Sequence, residues 1–126
     1  MGLATAGMFS RYALVGIAAT AVHYCMLMGM VELWGANPAP AAAVGAGSGA
    51  LAAYIGNRRV TFASQAAHRR VLPRFLVVAA VGALLSGTIV WTGTTLLSLP
   101  YLIPQLLATA LVLGGGFALN RQWTFA

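Results

Sequence analysis

Four long apolar runs, separated by short breaks that hold nearly all of the charge, restrict this chain to folds whose solvent is lipid. A membrane-spanning helix needs about 20 mostly apolar residues. Four segments meet that requirement: about Tyr12 to Val31, Pro40 to Gly56, Phe75 to Leu97 and Tyr101 to Leu119. Asn37, Pro38 and Pro40 break the first pair, and Ser98, Pro100 and Pro104 break the second. Between the pairs lies a polar stretch, Asn57 to Arg74, with five arginines and His68. The first run exceeds the roughly 7–15 residues of a signal-peptide core, so it is read as a span and not as a cleaved leader. Composition agrees: only 6% of the residues are charged, against about 25% in soluble domains.

The cations decide orientation. All seven are arginine, and the sole acidic residue is Glu32. Arg11 precedes the first span, Arg58, Arg59, Arg69, Arg70 and Arg74 lie between the second and third, and Arg121 follows the fourth. The other two loops, Leu33 to Ala39 and Ser98 to Tyr101, carry none. The positive-inside rule then puts both termini and the central segment in the cytoplasm. Trp34 and Tyr101 fall at the outer interface and Trp123 at the inner one, where amphipathic rings are favoured. This placement accounts for the net charge of +6 without nucleic acid as a partner. The single cysteine, Cys25, has no partner in the chain for a disulfide.

The chain resembles itself at a spacing of 63 residues, half its length. Asn57-Arg58-Arg59-Val60-Thr61-Phe62-Ala63 aligns with Asn120-Arg121-Gln122-Trp123-Thr124-Phe125-Ala126, identical at five of seven positions. The same spacing pairs Arg11 with Arg74, Tyr12 with Phe75 and Tyr54 with Phe117. Two spans per copy give both copies the same orientation and predict a pseudo-two-fold axis along the membrane normal. The expected fold is therefore an all-α membrane protein, residues 1–126 as one transmembrane domain. Its four helices come from two tandem two-helix repeats, 1–63 and 64–126, of the same orientation.

In these residues the chain resembles the GtrA-like family of small four-helix bacterial membrane proteins. The resemblance rests on Phe9, Arg11, Tyr12, Val15 and Gly16 at the start, and on an Asn-Arg-x-aromatic-x-Phe pattern closing each half. Asn120, Arg121, Trp123 and Phe125 fit the pattern in full, with Gln105 and Thr109 upstream; Asn57, Arg58 and Phe62 fit it with Val60 in place of the aromatic. The resemblance implies flippase-like translocation of a polyprenyl-phosphate-linked sugar across the bacterial inner membrane, for surface polysaccharide synthesis or modification. It also implies an alternative, a membrane anchor that recruits a glycosyltransferase.

Two kinds of residue are candidates for such a site. Arg11, Arg58, Arg74 and Arg121 sit at the cytoplasmic ends of the four helices, where guanidinium forks can hold a lipid phosphate. The competing reading is that they snorkel, set topology and bind anionic lipid. Asn57 and Asn120 are read as helix C-caps, because Asn tolerates the left-handed conformation, or as donors to a sugar or phosphate oxygen. His23 lies twelve residues after Arg11, about 18 Å along a helix and so near mid-membrane. An ionisable group at that depth suggests a polar path; the alternative is a neutral His bonded to a neighbouring helix.

Other features have plainer readings. Glu32, at the outer end of the first span, is a solvated end charge; in small proton-coupled multidrug exporters, a further class of four-span protein, the glutamate lies at mid-membrane. Gly45, Gly47 and Gly49 include a Gly-x-x-x-Gly spacing, and Gly114 to Gly116 and Ala79, Ala83 and Gly87 are likewise small; such faces let helices approach closely. No acidic dyad, metal-ligand spacing or phosphate-binding Gly-Lys-Ser/Thr loop occurs, so neither an enzyme nor a cofactor is expected. Four helices of this size enclose little volume, which leaves room for a homo-oligomer.

Overall fold

Ala, Leu and Met are strong helix formers, and the apolar runs rich in them are helical throughout. The computed structural model describes residues 2–126, apart from the side chains of Pro38 and Ala39. It contains four α-helices: α1 (Gly2–Trp34), α2 (Pro38–Gly56), α3 (His68–Trp91) and α4 (Leu102–Leu119). No strand occurs among the described residues. Three helices are continued or closed by five-residue π-helical turns, at Asn57–Thr61, Thr92–Leu96 and Asn120–Thr124. The chain divides into two compact units, Met1–Ser64 and Gln65–Ala126. In the first α1 packs on α2, and in the second α3 packs on α4.

Among the described residues, three segments are long and apolar enough to cross a membrane: Gly2–Trp34, His68–Leu96 and Leu102–Thr124. The expectation of four equally qualified spans is met for these three. Helix α2, whose first two side chains lie outside the described residues, is not among these three; its 19 residues are mainly Ala and Gly and open on two prolines. Two boundaries also differ from expectation. Helix α1 starts at Gly2, and its 33 residues measure about 50 Å, well beyond a hydrocarbon core of about 30 Å. Helix α3 starts at His68, so Arg69, Arg70 and Arg74 lie on its first two turns and not in a loop. Pro73 sits inside that helix, close enough to its start that only one intrahelical bond is forfeited.

The outward faces are apolar. Leu14, Ile17, Leu51, Leu84, Leu106 and many similar side chains are exposed, an arrangement suited to hydrocarbon. Several helix hydroxyls are satisfied internally: Thr20, Ser48, Thr88 and Thr109 each donate to the carbonyl four residues earlier, at 2.8–2.9 Å. Hydrocarbon offers no other partner.

Helix α1 meets α2 closely because two glycines allow it. A Cβ added at Gly45 would lie 2.8 Å from both the His23 Cδ2 and the His23 carbonyl oxygen. One added at Gly49 would lie 2.9 Å from the Ala19 carbonyl oxygen and 3.0 Å from the His23 Cβ. Gly47, two residues from each and so on the opposite side of the helix, has nothing within 4 Å.

Helix ends share one closure. A residue with left-handed backbone, Gly35 (φ 64), Ala63 (φ 46) or Ser98 (φ 52), ends each segment. The next N–H then returns to a carbonyl six residues back: Ala36 to Met30 at 2.9 Å, Ser64 to Arg58 at 2.8 Å and Leu99 to Gly93 at 2.9 Å. At Ala63 and Ser98 the wide return bond follows an expanded π turn. It satisfies a carbonyl that the helix end would otherwise leave orphaned.

Candidate functional site

The polar chemistry of each unit gathers at one end, built on the π-helical turn. In the first unit α2 runs into the turn Asn57–Thr61, and the Phe62 N–H donates to the Asn57 carbonyl at 2.9 Å. Asn57 and Thr61 are both buried, and the Thr61 hydroxyl donates to Asn57 Oδ1 at 2.9 Å. Arg11, one helix away on α1, donates from Nη1 to the Val60 carbonyl at 3.3 Å, while its Nε reaches the Gly7 carbonyl at 3.5 Å. Beside it the rings of Tyr12 and Phe62 lie 6.2 Å apart in a tilted arrangement.

The second unit repeats the turn, the arginine and the ring pair 63 positions later, but the Thr61–Asn57 side-chain bond has no counterpart between Thr124 and Asn120. The Phe125 N–H donates to the Asn120 carbonyl at 2.9 Å across the turn Asn120–Thr124. Arg74 Nη1 donates to the Trp123 carbonyl at 2.9 Å, and Phe75 and Phe125 lie 6.2 Å apart. Here the arginine has a further contact: its guanidinium sits 5.3 Å from the centre of the Trp123 ring. Arg70 Nη2 adds a bond to the Ala126 carbonyl at 2.7 Å. Asn120 and Thr124 are buried like their counterparts.

Carbonyls at a helix C-terminus lack intrahelical donors and carry partial negative charge. A guanidinium can bond such a carbonyl without losing its own charge. No acidic side chain competes at Arg11, since Glu32, the one acidic residue, lies 21 residues along α1 from it, about 30 Å away. The arginines therefore fall into distinct groups. Arg11, Arg70 and Arg74 bond backbone carbonyls. Arg58 is half-buried and has a partner of its own. Arg59, Arg69 and Arg121 are exposed and have no hydrogen bond or ion pair among the described residues.

The structure thus brings Arg11, Asn57 and Arg58 to one end of the first unit, and Arg74, Asn120 and Arg121 to one end of the second. His23 belongs to neither end. It is half-buried between α1 and α2 against Gly45 and Gly49, its ring stacked on Tyr24 at 5.3 Å. The asparagines stand at the C-cap positions of α2 and α4 as expected, but without the left-handed backbone. Asn57 (φ −66) and Asn120 (φ −64) have right-handed helical backbone, and the chain continues as a π turn beyond them. Left-handed backbone occurs instead at Ala63. Sequence reasoning also missed the Val60 and Trp123 carbonyls as arginine partners, and Thr61 as the partner of Asn57. The signal available was the aromatic after each arginine, Tyr12 and Phe75, recurring at the same spacing as Phe62 and Phe125. Among the described residues, no three His, Cys, Asp or Glu side chains come together as a metal site.

A family model for the GtrA/DPMS transmembrane domain matches residues 11–125. The chain belongs to the GtrA/DPMS transmembrane-domain family. The match opens on Arg11 and closes on Phe125, so it includes both arginine ends and leaves the first turns of α1 outside. GtrA/DPMS membership fits a membrane protein linked to polyprenyl-phosphate sugar processes. No curated protein matches the chain significantly.

Proposed function

We propose that this GtrA-like protein is a flippase-like carrier of a polyprenyl-phosphate-linked sugar across the bacterial inner membrane, serving surface polysaccharide synthesis or modification. In this reading all four helices cross the bilayer, as two copies of one two-helix element in the same orientation, with both termini and the central segment in the cytoplasm. The observation that carries it is the recurrence, 63 residues apart, of an arginine bonded to a π-turn carbonyl beside an Asn-Arg pair. Arg11 and Arg58 in the first unit, and Arg74 and Arg121 in the second, build the phosphate-binding ends, and Asn57 and Asn120 shape the turns that carry them. The sugar follows a polar path that includes His23, while the polyprenyl tail stays in lipid. A phosphodiester carries about one negative charge. An inside-negative potential favours its outward movement by about 2.3 kcal/mol per 100 mV if the charge crosses the whole field. The carrier then has no catalytic step of its own and acts as a monomer or a homo-oligomer.

The test is reconstitution in liposomes with a labelled polyprenyl-phosphate sugar and an assay for its exposure in the opposite leaflet. Protein-dependent exposure is expected; rates equal to protein-free liposomes refute the carrier. A second reading, a membrane anchor for a glycosyltransferase, draws support from His23. Its ring lies against Gly45 and its Cβ against Gly49, as in a helix-pairing residue. An anchor tolerates replacement of His23 as long as α1 and α2 stay paired.

A further inference from the structure

The two arginine ends share their backbone geometry but differ in how firmly each arginine is held. Arg74 has a 2.9 Å bond to the Trp123 carbonyl and lies over the Trp123 ring. Arg11, in the matching position, has bonds of 3.3 and 3.5 Å only, and position 60 beneath it is Val. Arg74 is half-buried and Arg11 is exposed. The second arginine of each end shows the reverse. Arg58 is half-buried and partnered, whereas Arg121 is exposed with no hydrogen bond or ion pair among the described residues. Each end thus has one committed guanidinium and one available, in opposite positions.

We infer that the two ends contact phosphate through different arginines: Arg11 in the first unit and Arg121 in the second, with Arg74 and Arg58 holding the turns in place. The inference rests on the phosphate-binding reading above. A phosphate oxyanion is a far better acceptor for guanidinium than a neutral carbonyl. Arg11 exchanges the Val60 carbonyl for phosphate because its bonds are long and no ring pins it. Arg74 resists the same exchange, since it must give up a short bond and a cation–π contact together. Val60 is in this view a permissive residue, and its lack of a ring is what leaves Arg11 mobile.

The experiment supplies the missing ring. The full chain, in phosphatidylcholine nanodiscs, is titrated with a polyprenyl monophosphate and separately with phosphatidylglycerol. Val60→Trp is expected to weaken polyprenyl-phosphate binding about two- to fivefold, the factor that one exposed cation–π contact is worth, without lowering the thermal midpoint. Val60→Leu is expected to bind within about twofold of wild type. Val60→Phe decides the matter if the indole prevents folding. Arg11→Gln is expected to lose about tenfold or more. Folded Val60→Trp or Val60→Phe proteins that bind like wild type overturn the inference, as does wild-type affinity in Arg11→Gln. If those variants behave as expected but the protein binds phosphatidylglycerol equally well, the inference stands and the carrier reading falls. Wild-type protein that binds neither lipid overturns both.

Discussion

Arg58 and Arg121 follow an asparagine on matching π turns, yet their surroundings differ, and substitution separates them. Arg→Lys keeps the cation and the topology signal but replaces a planar fork with a point charge. Both Lys variants are expected to insert normally; Arg121→Lys binds the lipid-linked sugar less well through a lost phosphate contact, and Arg58→Lys only through a loosened turn. The loss of one charge-assisted hydrogen bond, about 1.5–3 kcal/mol, corresponds to roughly 10- to 150-fold in affinity. Arg121 is the more sensitive of the two, because its donors face outward while Arg58 is half-buried with a protein partner. Titration of purified single and double variants, with topology checked in parallel, measures this. A double Lys variant with full activity reduces both to topology anchors. His23 is a separate case. If it lines the sugar's path, His23→Leu impairs flipping while leaving expression and insertion intact; unimpaired flipping removes it from the path and favours the anchor.

At the scale of the helix, the α1–α2 pair makes a sharper claim. Gly45→Ala and Gly49→Ala each place a methyl group under 3 Å from a backbone oxygen of α1, which a side-chain rotation cannot relieve. Each is expected to cost about 1–3 kcal/mol by overpacking. Gly47→Ala meets nothing within 4 Å and is expected to be neutral or to gain up to about 1 kcal/mol from helix propensity. Thermal midpoints in detergent distinguish the three, and an equal response at all three positions rejects this packing. The Gly-x-x-x-Gly spacing was legible in the sequence because it is a spacing along one helix. That its partner is His23 was not, since pairing joins residues 22 positions apart. The π turns were equally hidden. An expanded turn depends on which carbonyl a given N–H selects, and Asn57 looked like a left-handed cap because it is a good one in isolation. Left-handed Ala63 and Ser98 carry no sequence signal, since neither is Gly or Asn; surrounding bonds impose a conformation that costs about 1–3 kcal/mol for such residues.

For the whole molecule, the arginine pattern argues for one orientation. Reporter fusions at Ala63 and Ala126 are expected to read cytoplasmic, and one at Ala36 periplasmic. A periplasmic signal at Ala63 overturns the orientation and, with it, the two-copy arrangement. The number and order of helices were legible from the apolar runs, because hydrophobic length is a local property of sequence. So was the family, because Asn-Arg-x-x-Thr-Phe recurs in order at one spacing. The carbonyl partners of Arg11 and Arg74 were not, because a backbone oxygen 49 residues away leaves no trace in side-chain identity.

Bonding arginines to carbonyls instead of carboxylates has a consequence for the membrane around the protein. The guanidinium is held in place while its full charge persists, so the chain is assembled without being neutralised. The balancing charge comes from outside the chain, from solution anions and from the anionic headgroups that such ends attract. Each end therefore enriches anionic lipid around itself, and that enrichment weakens as salt screens it.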